Sequence, residues 1–296
     1  MTDDREETAI VRSVSRHPVD EAAAEQDLKI LEPALGKLPM VIERSPHSGG
    51  LRLAMTSSLE ELGFRLIGDP RAAWLDTWEA TVHAMQAGAA LFLATSRTEG
   101  EIEFRYGEAT LRRAAVGPNM YGNATMWLDA LWLAMICRER PRIDLLASIP
   151  PDLLRASTIE YDEFVYSWVG ALQTYWTRGE GLVDQILEAM AGTDPAGLRQ
   201  LDPDAVLQRY YPPIEMFYHL TQRDDARFND SLYNALVLHR RYWSTEEEHN
   251  SPFGYVALGP LAIACLARDA GVTIEVESEY LPANLLAGSW VGEHST

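Results

Sequence analysis

From Asn123 to Cys137 the chain is apolar at nearly every position, with Asp129 the one charged residue in the stretch. A helix on a protein surface shows one apolar stripe and one polar face, and this stretch has no polar face to show. It therefore predicts a central core helix, enclosed by other elements on most of its surface. A bilayer does not supply the enclosure. The longest unbroken apolar run, Ala130 to Cys137, is far shorter than the roughly 20 residues needed to span one.

The elements that could enclose it are helices. Tyr161, Phe164, Val165, Trp168, Val169, Leu172, Tyr175 and Trp176 recur at three- and four-residue steps, the clearest helical period in the chain. Leu182, Val183, Ile186, Leu187 and Met190 repeat it before Gly192 and the Thr193-Asp194-Pro195 turn, so the two segments predict an antiparallel helical hairpin. A second pair follows: one helix over Pro213 to Leu220, and one carrying Phe228, Leu232, Ala235, Leu236, His239 and Trp243. The last long helix covers Pro260 to Ala270 and is closed by Gly271, with Val272, Ile274 and Val276 alternating beyond it as a short extended segment.

Upstream, helical character runs from Val19 to Leu31, weakened by Pro33 and Gly36, and again from Leu51 to Phe64, closing at Gly68. Asp69 as N-cap and Pro70 at the first helical position predict the start of a long amphipathic helix through Trp74, Trp78, Val82, Met85, Ala89 and Phe92. The period then changes to two. Ile102, Phe104 and Tyr106 alternate with charged residues, Gly107-Glu108 supplies a two-residue turn, and Thr110 to Arg113 returns, which predicts one β-hairpin. The fold class expected is mainly α: stacked antiparallel helical hairpins, α-solenoid-like or a helical array, with a small β-hairpin near residues 100–114. Residues 1–17 read as a polar leader or short edge element, and 18–296 as a single helical domain.

Charge narrows the partners. Forty-four acidic against 25 basic residues leave a formal charge of −19, which repels nucleic acids and anionic membranes and suits a basic partner protein. The competing reading is that the charge serves solubility alone. Cys137 and Cys265 both sit in apolar helical stretches, as free thiols do in reducing compartments. The first residues, Met1-Thr2-Asp3-Asp4-Arg5-Glu6-Glu7, lack the basic and apolar regions of a secretory signal, so a cytoplasmic location is expected.

Catalytic signatures are missing from the sequence: there is no phosphate-binding glycine loop, no Gly-x-Ser-x-Gly elbow, no paired CxxC and no His-Glu-x-x-His. No cofactor is expected. Glu79 with His83 and Glu215 with His219 stand four residues apart, which puts each carboxylate and imidazole on one helix face. Helical di-metal sites use a three-residue step instead, so surface pairing is the simpler reading. His239 falls on an apolar stripe and reads either as a pocket base or, more simply, as a core histidine bonded to a neighbour.

Three acidic groups are candidates for partner contact: Asp224 with Asp225; Glu246, Glu247 and Glu248; and Glu275, Glu277 and Glu279 beside Tyr280. The first two flank a helix and read equally as solvated caps. In an extended segment the last three glutamates share a face, and such a row of like charges calls for water or a basic partner opposite it.

Several segments carry a family resemblance. Asp152-Leu153-Leu154-Arg155-Ala156-Ser157, Glu160 to Tyr166, Ala171 to Trp176, Ala257 to Ala262 and Glu275 to Pro282, with Trp78-Glu79-Ala80 and Met85-Gln86-Ala87-Gly88, resemble the immunity 49 family of bacterial polymorphic toxin systems. The likeness runs from about Asp69 to the end. It implies a mainly α-helical antitoxin that binds the toxic domain made beside it and protects the producing cell. A helical-repeat adaptor unrelated to toxins, and an enzyme reversing toxin damage through His239 or one of the Glu/His pairs, are the other functional classes.

Overall fold

The computed structural model describes residues 11–296. Its elements in chain order are β1 (Arg12–Val14), α1 (Glu21–Leu35), α2 (Leu38–Arg44), α3 (Gly49–Gly68), α4 (Leu75–Thr95), β2 (Glu101–Tyr106), β3 (Ala109–Ala114), α5 (Ala124–Ile136), α6 (Arg140–Ala147), α7 (Pro151–Arg155), α8 (Glu163–Thr177), α9 (Leu182–Ala191), α10 (Pro203–Ala205), α11 (Tyr211–Thr221), α12 (Asp225–Tyr242), α13 (Leu258–Asp269), β4 (Val276–Ser278) and α14 (Ala283–Ala287). Among the described residues strands form only two short pairs, and the protein is mainly α.

Helix α5 is the predicted core helix. Asn123 caps it, its side-chain oxygen accepting from the Met126 N–H, and α4, α6, α8 and α13 pack around it. Gly88 lets α4 approach closely: a Cβ there would sit 3.0 Å from that of Ala130. The Trp127 indole, fully buried, donates to the Leu146 carbonyl and so satisfies the polar atom that its large ring carries inward.

The hairpins α8/α9 and α11/α12 form as their periodicity predicts, and α3/α4 makes a third antiparallel pair. They do not follow one another as a simple ladder. The distant α13 inserts beside α5 and α11, because an all-round apolar helix needs cover on the side that its sequence neighbours leave open. The β-hairpin pairs Ile102 with Arg113 and Phe104 with Leu111, turning at Gly107-Glu108 as expected.

One local expectation is corrected. Asp69 does not start α4, which begins six residues later at Leu75. Its carboxylate instead accepts from the Ala73 and Trp74 N–H groups and the Thr77 hydroxyl, each at 2.8 Å, while Ala72 turns through φ 52°. The Asp caps a loop that leads into the helix, since this reversal is incompatible with continuous helix from Pro70. The last residues of the expected leader or short edge element pack against the helices. Arg12–Val14 pair in parallel with Val276–Ser278, Arg16 Nη1 donates to the Leu66 carbonyl at 2.9 Å, and His17 is buried. The remainder of the expected leader, residues 1–10, lies outside the described residues.

Between α10 and α11 the chain widens into one π turn over Val206–Tyr210, where the Tyr211 N–H reaches back five residues to the Val206 carbonyl. The cause is Pro212-Pro213 at the start of α11. In α geometry their rings, which lack N–H groups, would press on the carbonyls of Gln208 and Arg209, and the wider turn relieves that contact.

Candidate functional site

The acidic candidates do not gather into one patch. Asp224 caps α12 by accepting from the Arg227 N–H, and Asp225 is exposed in the first turn. Glu246 and Glu247 are exposed and Glu248 half-buried at the other end of that helix, which at 18 residues is roughly 27 Å away. Glu275 lies near the first end, because its N–H donates to the side-chain oxygen of Asn229.

Glu277 is exposed and Glu275 half-buried, but Glu279 has a partner already: its Oε2 accepts from the Arg16 N–H at 3.2 Å. Tyr280, the remaining candidate for partner contact, is 0% exposed; its hydroxyl meets His17 Nδ1 at 2.7 Å and its ring packs edge-on against His239 at 4.7 Å. Strand alternation turns the glutamates outward and Val276 and Tyr280 inward.

The Glu/His pairs are not brought to further ligands. His83 packs on the Tyr106 ring at 5.4 Å, and burial lowers its basicity; Glu215 accepts from the Tyr211 hydroxyl at 3.4 Å. No group of three metal-ligating side chains occurs among the described residues. His239 is buried with Nε2 2.9 Å from the Gly254 carbonyl oxygen, the arrangement of a core histidine satisfied by a neighbour.

That histidine nonetheless forms one wall of a cavity of about 230 Å³ that no sequence motif announced. The cavity opens where α5, α8, the π turn, α12 and the segment before α13 meet. Trp132, Trp168, Tyr210 and Trp243 make its aromatic walls, and Asp129, Gln208 and Arg209 bring polar groups to it. Asp129 makes no hydrogen bond or ion pair among the described residues. Burial therefore pushes its carboxyl up to about 6, with Arg209 opposing the shift in part. His239 is pushed down to about 3, mainly by burial, so its imidazole is neutral near pH 7.

Two further polar atoms are stranded. Gln208 is 9% and Trp243 4% exposed, and neither Gln208 Oε1 nor Trp243 Nε1 has a hydrogen-bond partner among the described residues. The Arg209 guanidinium stacks over the Tyr242 and Trp243 rings, 5.1 and 4.9 Å from their centroids. The site is thus a small aromatic recess with unsatisfied acceptors and one unsatisfied donor, the Trp243 N–H, at its wall, and with the Arg209 cation beside it.

A family model described as Immunity protein 49 matches residues 69–285, well over half of the chain. The chain belongs to the Immunity protein 49 family. No curated protein and no solved structure matches it. The Immunity protein 49 span contains every residue lining the aromatic recess except Leu59. By contrast, a second cavity, lined among others by Glu79, His83 and Tyr106, draws Leu35, Gly36, Pro39, Glu61 and Glu293 from outside that span. The recess therefore belongs to the portion of the chain that carries the Immunity protein 49 pattern.

Asp129 was visible in the sequence as the lone charge in an apolar helix, but nothing there joined it to Gln208 and Arg209, about 80 residues on. The Pro212-Pro213 pair was the available signal for an irregular turn.

Proposed function

We propose that this chain is an antitoxin: it binds a cognate bacterial polymorphic toxin in the cytoplasm of the producing cell and neutralises it by stoichiometric occlusion. Membership of the Immunity protein 49 family is the observation that carries this reading. The charge of −19 supports a basic toxin surface, because complementary charge steers encounter and orients the two proteins. Exposed Asp225, Glu246, Glu247 and Glu277 are available for that steering. Among the described residues no helix is long and apolar enough to cross a membrane, so the acidic surface meets its partner from solution in this reading.

Action by binding, without turnover, is part of the proposal. His239, the residue best placed to act as a base, has its Nε2 engaged by the Gly254 carbonyl, and its side chain makes no hydrogen bond to a hydroxyl or thiol among the described residues. The decisive experiment is co-expression with the toxin encoded next to it. Cells should survive, and a complex of fixed stoichiometry should co-purify. Death of the cells, or protection by substoichiometric amounts of this protein, overturns the reading.

A further inference from the structure

We propose that the aromatic recess receives a basic side chain, a lysine or arginine, projecting from the partner protein and pairing with Asp129. This rests on the reading of the chain as a protein-binding inhibitor and names the contact at its centre.

Size comes first. At about 230 Å³ the recess is smaller than the roughly 300–1,000 Å³ of pockets that enclose drug-sized ligands and cofactors. It suits one long side chain. The walls come next: Trp132, Trp168, Tyr210 and Trp243 surround the space with aromatic rings, whose faces attract a cation and whose area packs the alkyl stem that carries it.

Three acceptors favour a donor-bearing cation over an anion, against one donor without a partner among the described residues, the Trp243 N–H. Among the described residues Asp129 is a carboxylate without a donor, and Gln208 Oε1 is a buried acceptor without a donor. His239 adds a third acceptor: a carbonyl oxygen only accepts, so Nε2 must carry the proton, which leaves Nδ1 with a lone pair. An entering guanidinium or ammonium supplies the hydrogen-bond donors that these three lack. Arg209 does not fill the vacancy, because it makes no ion pair with Asp129 and is engaged on the Tyr242 and Trp243 rings.

The rim has the character of an interface. Phe253, on the wall, is 39% exposed, apolar surface that a docked partner would cover while closing the recess to water. Buried anchor side chains in sealed recesses carry most of the affinity in protein complexes. A chain of charge −19 also draws partners whose surfaces are rich in lysine and arginine.

The test has two arms, both on the full chain. In the first, binding of the purified cognate toxin is measured for the protein and for Asp129→Asn, which keeps the shape and removes the charge. The expected result is at least a tenfold loss of affinity with unchanged circular dichroism and an unchanged or higher thermal midpoint. An affinity within twofold of the parent overturns the proposal. In the second arm n-butylguanidinium is titrated while tryptophan fluorescence is followed. Saturable quenching that Asp129→Asn abolishes supports a cation site, and no difference between the two proteins overturns it. If the probe binds but toxin affinity ignores Asp129→Asn, the recess takes a free small cation and the partner contact is refuted. Failure of the unaltered protein to bind toxin refutes the inhibitor reading itself, whatever the probe does.

Discussion

His17 Nδ1 and the Tyr280 hydroxyl lie 2.7 Å apart although 263 residues separate them along the chain. The same hydroxyl accepts from the His17 N–H at 2.9 Å, and His17 Nε2 meets the His249 carbonyl oxygen at 3.1 Å. One phenol oxygen therefore ties the first described strand to the last. Tyr280→Phe removes it and strands the His17 N–H in a buried place. We expect a loss of about 1–2 kcal/mol in urea denaturation, with helical content unchanged.

Helix α3 passes the 252–254 turn at Gly63, where a Cβ would stand 2.1 Å from the Pro252 carbonyl oxygen. That oxygen belongs to the backbone, so the neighbour has little freedom to retreat. Gly63→Ala gains helix propensity of about 1 kcal/mol but must push the turn away. The expected net result is destabilisation by at least about 2 kcal/mol, seen as a lowered midpoint in thermal unfolding.

Asp69 holds the entry to α4 through three short bonds. Asp69→Ala leaves two N–H groups and the buried Thr77 hydroxyl without their acceptor. A loss of about 2 kcal/mol is expected, and hydrogen exchange should rise first at residues 72–77. Asp69→Asn keeps one acceptor oxygen and should lose less.

The pH profile carries two opposing contributions from the recess. His239 titrates at about 3 when folded, against an ordinary value of 6.5, so between those pH values the unfolded chain binds the extra proton. Its contribution is intact above pH 6.5 and is lost as pH falls towards 3. His239→Gln, which cannot titrate, should flatten the acid limb of stability measured by urea denaturation from pH 7 to pH 4.

Asp129 acts with the opposite sign. Its carboxyl titrates near 6 when folded, against 3.8 ordinarily, so the folded state binds the proton more tightly between those values. Stability falls as pH rises from about 4 to 6 and stays lowered above. Asp129→Asn should thus gain about 1–2 kcal/mol at pH 7.5, a figure discounted for the water that reaches its half-buried side chain, and gain nothing at pH 3.5.

Periodicity made much of this architecture legible. The apolar stretch 123–137 could only be a core helix, and the stripe from Tyr161 to Trp176 could only be half of a helical pair. The alternation at Ile102, Phe104 and Tyr106, followed by Gly107-Glu108, specified the hairpin down to its turn. What escaped was non-local. Parallel pairing of Arg12–Val14 with Val276–Ser278 has no local signature, since three residues are too few to set a period. Asp69-Pro70 carried a sound helix-start signal that the Ala72 reversal overrode. The recess was invisible for the same reason as the strand pair: Asp129, Gln208 and His239 come from three separate elements, and only packing brings them together.

The joining of the first strand to the last also bears on how the protein reaches its folded state. Loop-closure entropy grows only with the logarithm of length, about 0.6 kcal/mol for each doubling, so spanning 263 residues adds only about 2 kcal/mol to what a 33-residue loop would need. The burden falls on rate. Contacts so remote must wait until the intervening helices have collapsed, and the final latching of Val14 and His17 against Ser278 and Tyr280 belongs to the slow end of folding. A newly made chain that has yet to complete that step is already helical but not yet closed, and the interval between synthesis and the finished fold would be set by the meeting of its two distant strands.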